Sequence, residues 1–512
     1  MRALFLVPPC GYNARNLPID RVYGCNYGFD YKPPIHLLQV ATFARERLGW
    51  HVRLLDCPAE GIDISAFEAL IKREPYDVVV HWTTYLSAVE DIRAASACQR
   101  LMQQPPRAVF MGAGSTWRPE EFYVGPATFV LLGEPEETLA ELSLAWENDA
   151  PLAEIDGLAW WDDERRIHLG GFRALLDVSL LPQPDRRLLT GHYRANRLDV
   201  TPVTTLVVSR GCGFKCNFCT PNAVDQSIEL EFKRLQTWYV HRPPLRKRTV
   251  DQIVAEFEEI ASLGFRGVEI ADNIFTWGAA RTLEICERIA PLGLHWICLA
   301  RANMLHDDDT VAAMARAGCK LIYMGSESFD DGLLADMAKQ IKVADVQKAV
   351  ATCRRHGIEP EVSVLIGGSP HETWGTLYRS WRAARSLGTR FVHFSVALPA
   401  PSTELYDMAR EGGWFVDGDF YPADNAREAI VNLPHLSASE LRTALKLSYA
   451  LQYLAPRSIA HHLGMVRTGR DLADKARAAG RLLGYLGEFR DAARNGPIPA
   501  GRVTPPGLLE NP

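Results

Sequence analysis

The sequence predicts an α/β protein built as a doubly wound parallel sheet over residues 1–145, a connector over 146–204, a partial (β/α)6 barrel over 205–410 and a helical region over 411–512. Three observations carry this reading. Short apolar runs alternate with helical periodicity through residues 1–145 and again through 205–410, the pattern of parallel strands joined by crossover helices. Within 205–410 the strands are followed by polar or glycine residues, as on the carboxyl face of a barrel. Beyond residue 410 that alternation stops, and apolar residues recur at helical spacing, most clearly over 438–453.

The first part reads as a Rossmann-like sheet. Strands are expected at 3–7, 52–55, 78–80, 108–111 and 129–132. Helices are expected at 37–48, closed by Gly49, at 64–72, and through Arg100; residues 8–34 form a long loop rich in Gly, Pro, Tyr and Asn. Ligands of such sheets bind outside the carboxyl ends of the strands. Those ends carry Trp82-Thr83-Thr84-Tyr85, Gly112-Ala113-Gly114-Ser115 and Gly133-Glu134-Pro135-Glu136. Glycine there lets backbone approach a ligand closely, although a tight strand–helix turn explains Gly112-Ala113-Gly114 equally well. In the connector, Trp160-Trp161-Asp162-Asp163 and Ile167-His168-Leu169-Gly170 read as a small hairpin, and Leu180-Leu181-Pro182-Gln183-Pro184 as a proline-stiffened linker.

The second part reads as a TIM-like half-closed barrel. Strands are expected at 205–208, 267–271, 295–299, 320–324, 361–366 and 391–397, and helices at 249–263, 279–290, 308–317, 330–338, 343–356 and 372–387. The strand ends display Asp272-Asn273, Arg301-Ala302-Asn303, Glu327-Ser328, Gly367-Gly368-Ser369-Pro370 and Pro399 to Thr403. Ordinary capped loops explain any one of these; together they describe a barrel arranged around a ligand. In the last part, 457–494 is expected to be helical, with basic Arg467, Arg470, Lys475, Arg477 and Arg481 on a solvated face, and the tail from Asn495 is rich in Gly and Pro.

The end of the first barrel strand carries the chemistry. Cys212, Cys216 and Cys219 stand at C-x3-C-x2-C spacing just after the apolar run 205–208. Soft thiolates converging from a short loop favour an iron–sulfur cluster or zinc. Three ligands suit a four-iron cluster with one iron left open, whereas structural zinc wants four. A net charge of -6 argues against a nucleic-acid partner. Eleven cysteines without disulfide-framework spacing fit a reducing cytoplasm. No apolar run reaches the ~18 residues of a membrane span, and the first residues read as a strand rather than a signal peptide.

The cysteine loop, with aromatic Phe218 before its last cysteine, resembles that of the radical S-adenosylmethionine (SAM) enzymes. Across residues 1–410 the chain is similar to their cobalamin-binding class B group. The resemblance runs through Gly112-Ala113-Gly114-Ser115, Gly133-Glu134-Pro135-Glu136-Glu137-Thr138-Leu139, Asp272-Asn273-Ile274-Phe275-Thr276, Gly325-Ser326-Glu327-Ser328 and Pro399 to Tyr406. It departs at Gly213, where proline is frequent, and at His371 and Ser402, where glycine is frequent.

The resemblance implies that Cys212, Cys216 and Cys219 hold a [4Fe–4S] cluster whose open iron takes SAM, and that an electron splits SAM into methionine and a 5′-deoxyadenosyl radical. It assigns Phe218, Asp272, Asn273, Arg301, Glu327, Gly367 and Gly368 to SAM. It assigns Trp82, Thr83, Thr84, Tyr85, Gly112, Gly114, Ser115, Gly133 and Glu134 to cobalamin. The family's Asp-x-His-x-x-Gly loop is missing: residues 8–34 contain no histidine, and Asp56 to Gly61 copies the spacing with proline at the histidine position. Cobalamin is therefore expected to bind without a histidine of this chain on cobalt.

The implied activity is methylation of an unactivated carbon. The alternatives are cyclisation or rearrangement with the same cofactors, as in tetrapyrrole ring formation, or a non-catalytic cobalamin or iron–sulfur binding protein. A small-molecule or peptide substrate and a flavodoxin- or ferredoxin-type electron donor are the expected partners. Glu269, Tyr323 and His393 are candidate acid–base residues for the substrate.

Overall fold

Five apolar runs pair in parallel as the core of the first sheet: β1 (Arg2–Val7), β2 (His51–Asp56), β3 (Val78–Trp82), β4 (Arg107–Met111) and β5 (Thr128–Leu131). Strands buried on both faces read as unbroken hydrophobic runs, and Val78, Val79 and Val80 are wholly buried. The computed structural model describes residues 1–456 other than 14–16, 25–30, 194–196, 199 and 237–242; beyond 456 it describes only 459–460, 464, 476, 479–480 and 484. Arg467, Arg470, Lys475, Arg477, Arg481 and the tail from Asn495 therefore lie outside the described residues.

The strand order is β2-β1-β3-β4-β5-β6-β7. The last two members are β6 (Leu158–Trp161) and β7 (Ile167–Leu169), the hairpin expected in the connector. It adds to the sheet antiparallel, with Val130 opposite Ala159 and Leu131 opposite Leu158, so this hairpin is part of the first sheet rather than of a linker. Helices Ile35–Arg47 and Pro135–Asn148 cover one face, with Trp50 and Leu139 in the same core. Helices Ile64–Ile71 and Ala88–Leu101 cover the other.

The barrel strands are β8 (Val203–Leu206), then, after the two-residue ladder of β9 (Ser209–Arg210) with β10 (Arg246–Lys247), β11 (Gly267–Ile270), β12 (His295–Ala300), β13 (Cys319–Glu327), β14 (Glu359–Ile366) and β15 (Phe391–Val396). They form one parallel sheet in the order β15-β14-β13-β12-β11-β8. One face of alternate residues, among them Val268, Cys298, Ile322, Val364 and Phe394, packs into a continuous core against the helices. On the other face, Leu299, Tyr323, Gly325, Ser363, Phe391 and His393 remain partly open.

The C-terminal region departs from the helical expectation. Helix Ala438–Tyr453 forms, started by a capping box between Ser437 and Glu440. Residues 412–437 instead make turns and two isolated bridges, Phe415 with Val431 and Leu433 with Leu436. Pro422 and Pro434 interrupt helix there, and Phe415, Phe420, Ile430 and Val431 are buried in the barrel core. Among the described residues no helix is long and apolar enough to cross a membrane.

Candidate active site

The cysteine loop is held at both stems. On entry, Gly211 has φ 86°, and a Cβ there would lie 2.4 Å from the Pro244 carbonyl oxygen, so glycine is required. Its amide donates to Asp225 Oδ1 at 2.8 Å. On exit, the Asn222 amide donates to Asn273 Oδ1 at 3.0 Å, and Asn273 Nδ2 donates to Asp225 Oδ2 at 2.6 Å. Asn222 also caps helix Ala223–Arg234 by accepting the Asp225 amide at 3.1 Å. Between the stems, Asn217 donates from its amide to Met337 O at 3.2 Å and from Nδ2 to Asp336 O at 2.7 Å.

Cys216 is buried, Cys212 half-buried and Cys219 exposed. Burial first, and then the Cys216 thiol, push the Cys212 thiol up to about 11, against hydrogen bonding from the Phe214 backbone. Thiols in that state become ligands when a metal centre supplies positive charge. Among the described residues no three His, Cys, Asp or Glu side chains close on a single ion. A four-iron cluster takes one thiolate per iron and needs no such convergence. Arg301 Nη1 lies 3.5 Å from Cys216 Sγ, and its guanidinium stacks 3.6 Å from the Phe214 ring centroid. The donor set fits an iron–sulfur cluster.

Four of the residues expected around SAM gather at this loop. Arg301 also donates to the Lys339 carbonyl. The Lys339 ammonium stands 2.8 Å from Glu327 Oε1 and 5.7 Å from the Phe218 ring centroid. Glu327 sits at φ 62°, and a Cβ at Gly325 would come within 2.4 Å of Glu327 Oε1. Asn273 braces the loop exit as described above. Buried Arg301 Nε and Ser326 Oγ have no partner among the described residues, leaving polar capacity for a bound SAM.

The other expected SAM residues are engaged with protein. Asp272 is fully buried, accepting the Val208 amide at 2.7 Å and the Ser209 hydroxyl; burial pushes its carboxyl up to about 7. Gly367 donates to the Glu372 carboxylate, and a Cβ at Gly368 would lie 2.6 Å from Met337 Cε. His371 turns out to be largely exposed, 2.8 Å from Asp336. Glu269 pairs with Lys32 at 2.5 Å. Burial pushes the His393 imidazole down to about 4, and its Nδ1 lies 3.4 Å from the Tyr449 hydroxyl.

The residues expected around cobalamin lie together at the carboxyl edge of the first sheet, mostly closed on one another. A Cβ at Gly112 would lie 2.3 Å from Thr83 O, and one at Gly114 2.6 Å from Thr84 O. The Thr83 hydroxyl bonds Met111 O and the Ser115 hydroxyl, each at 3.0 Å. Tyr85 packs edge-on against Trp117 and Phe420, and Gly133 packs against Glu231. Glu134 binds Arg210, Arg246 and the Leu176 amide. Burial opposes its ionisation, but the two arginines outweigh that and hold its carboxyl below the usual range. Trp82 stacks on His36, and its buried indole N–H has no partner among the described residues, which leaves one donor for a ligand. Asp56 caps the turn Cys57–Glu60 and accepts from Tyr31 and Tyr193.

Sequence reasoning passed over Arg210, Asp225, Phe214 and Lys339. Asp225 carried a readable signal, standing three residues after the cap Asn222. The other three are visible only once distant strands are brought together.

Residues 206–382, which carry the three-cysteine loop and strands β11 to β14, match the radical SAM superfamily model. With the parallel sheet at the N-terminus included, the overall fold is similar to those of solved radical SAM proteins that carry a second parallel sheet. An uncharacterized methyltransferase of Pyrococcus horikoshii is 26% identical over 476 residues, 91% of this chain and 96% of its own length. The structure of the radical SAM methyltransferase TsrM from Kitasatospora setae, with cobalamin and [4Fe–4S] cluster bound, superposes with a TM-score of 0.60 at 18% identity, covering 80% of this chain and 75% of its own. The cobalamin-dependent radical SAM enzyme OxsB, with aqua-cobalamin and SAM bound, gives 0.65 at 14% identity, covering 96% and 71%.

Proposed function

We propose that this chain is a cobalamin-dependent radical SAM methyltransferase acting on an unactivated carbon of a small molecule or peptide. The observation that carries the reading is the cysteine loop, set among Arg301, Glu327, Lys339 and Phe218 at the mouth of a barrel covered by a second parallel sheet. The similarity to a methyltransferase along nearly the whole chain supports methyl transfer over cyclisation.

When bound, the cluster and SAM supply reductive cleavage and a carbon-centred radical, and the corrinoid supplies the methyl group. Cys212, Cys216 and Cys219 hold the cluster. The Glu327–Lys339 pair, Arg301 and Asn273 would offer charges and hydrogen bonds to the polar parts of SAM, and Phe218 an apolar surface. Trp82 offers the donor at the sheet edge where the corrinoid binds. The partly open face of Leu299, Tyr323, Ser363, Phe391 and His393 takes the substrate. Its enclosure between sheet and barrel keeps water from a reactive radical. A low-potential protein of the flavodoxin or ferredoxin class delivers the electron.

The test is anaerobic reconstitution with iron, sulfide and hydroxocobalamin, then incubation with SAM and dithionite under mass spectrometry. Equal amounts of 5′-deoxyadenosine and S-adenosylhomocysteine in the presence of substrate are expected. 5′-Deoxyadenosine alone, with cobalamin bound, overturns methyl transfer; neither product overturns the cofactor assignment.

A further inference from the structure

Arg210 immediately precedes the Gly211-Cys212 stem, yet its side chain leaves the barrel. It is buried at the carboxyl edge of the first sheet, donating from Nη1 to Glu134 Oε1 at 2.9 Å and from Nη2 to Glu136 Oε1 at 2.6 Å. A further contact from Nη1 reaches Glu136 Oε2 at 3.2 Å. Glu134 simultaneously takes Arg246 Nη1 at 2.8 and 2.7 Å and the Leu176 amide at 3.1 Å. Arg246 is the backbone partner of Arg210 in the β9–β10 ladder. Buried Arg210 and half-buried Arg246 thus face two buried carboxylates, Glu134 just before helix Pro135–Asn148 and Glu136 in its first turn.

A forked guanidinium on two carboxylates fixes direction as well as distance. A buried ionic cluster adds little net stability over apolar packing, and its best-attested use is to set register. The register here lies between the first sheet and the cysteine loop, because Arg210 is two residues from Cys212. The exit stem is tied the same way: the Ala223 amide donates to Val22 O at 2.7 Å.

We infer that Arg210 is a positioning residue through which Glu134 and Glu136, at the start of helix Pro135–Asn148 beside the first sheet, set the cysteine loop. The inference rests on the reading that Cys212, Cys216 and Cys219 hold an iron–sulfur cluster. Anything bound at the sheet edge is then felt at the cluster, and by linkage the reverse. Glu134 serves this tie rather than a direct corrinoid contact.

The experiment compares anaerobically reconstituted wild-type enzyme with R210M, R210K and E136Q, after checking folding by circular dichroism. Iron and sulfide content, the EPR spectrum of the reduced cluster, and its titration with SAM are measured. All three variants are expected to take up iron. R210M and E136Q are expected to show shifted g-values and a SAM affinity lowered about tenfold. R210K, which keeps the charge but loses the fork, is expected to fall between them and wild type. E136Q is the sharpest probe, because Glu136 lies in the first turn of helix Pro135–Asn148, outside the barrel, and bonds no cysteine. Folded variants with wild-type spectra and wild-type SAM titrations overturn the inference, and if R210M does not fold, E136Q and R210K decide. Wild-type protein that takes up no iron overturns the cluster reading and this inference with it, whereas iron-replete wild type with unperturbed variants overturns this inference alone.

Discussion

Lys339 holds its ammonium nitrogen 2.8 Å from Glu327 Oε1, with both side chains buried at the barrel mouth and Glu327 in a left-handed backbone conformation. The pair stands beside Phe218 and, through Arg301, one residue removed from the Cys216 sulfur. Burial opposes a charge on Lys339, but Glu327 outweighs it, and its pKa is raised. A non-glycine residue at φ 62° costs about 1–2 kcal/mol. The fold tolerates that cost where the carboxylate is needed.

Removing one member of this pair leaves the other buried and unmatched, at about 3–5 kcal/mol. K339M and E327Q are each expected to lower the thermal midpoint of the cofactor-free protein. The double variant K339M/E327Q is expected to recover part of the loss. Single variants as stable as wild type would mean that solvent reaches the pair.

The Arg301 guanidinium donates toward the Cys216 sulfur, and hydrogen bonds to cluster sulfurs raise reduction potentials. R301M is expected to retain four irons while its cluster midpoint moves negative by on the order of tens of millivolts. An EPR-monitored redox titration reads this directly. A midpoint equal to that of wild type would remove Arg301 from the electrostatics of the cluster.

Asp272 provides the pH dependence. Its carboxyl is lifted from 3.8 to about 7 in the folded protein, chiefly by burial. A raised folded value means that the native state binds the extra proton. Its stabilisation is therefore complete below about pH 4 and is lost as pH rises through about 7. At 1.36 kcal/mol per unit this amounts to roughly 4 kcal/mol. D272N stays neutral and can still accept from the Val208 amide. Its thermal midpoint relative to wild type is expected to rise between pH 4 and 7, and a constant difference would show that Asp272 titrates normally.

The first-sheet strands were legible because parallel strands covered on both faces are unbroken apolar runs, and Ala3 to Val7 and Val78 to Val80 announce themselves that way. The cysteine loop was legible because its chemistry is local in sequence. Helix Ala223–Arg234 was not: it is enclosed on several sides, so buried Asp225, Gln226, Glu229 and Glu231 interrupt its apolar stripe. Arg210 could not be read either, since its carboxylate partners lie 74 and 76 residues earlier, at the start of helix Pro135–Asn148. Residues 412–437 misled because their apolar residues pack into the barrel core without helical hydrogen bonding.

Gly112 decides whether the edge of the first sheet is built for close backbone contact. It has φ 102°, which L side chains rarely adopt, and a Cβ there would stand 2.3 Å from Thr83 O. The Thr83 amide and hydroxyl meanwhile bond Met111 O, at 2.6 and 3.0 Å, so the Thr83 strand end cannot retreat without breaking its own bonds. G112A therefore meets two costs, overpacking of about 1–3 kcal/mol and backbone strain of about 1–2 kcal/mol. The expected outcome is a lower thermal midpoint together with weaker hydroxocobalamin binding, because Trp82 lies on the same strand end. G114A meets Thr84 O at 2.6 Å, without the left-handed backbone penalty, and is expected to cost less. If G112A lost stability but bound hydroxocobalamin as wild type does, the glycine would serve the turn alone, and the corrinoid contact at this edge would pass to Trp82.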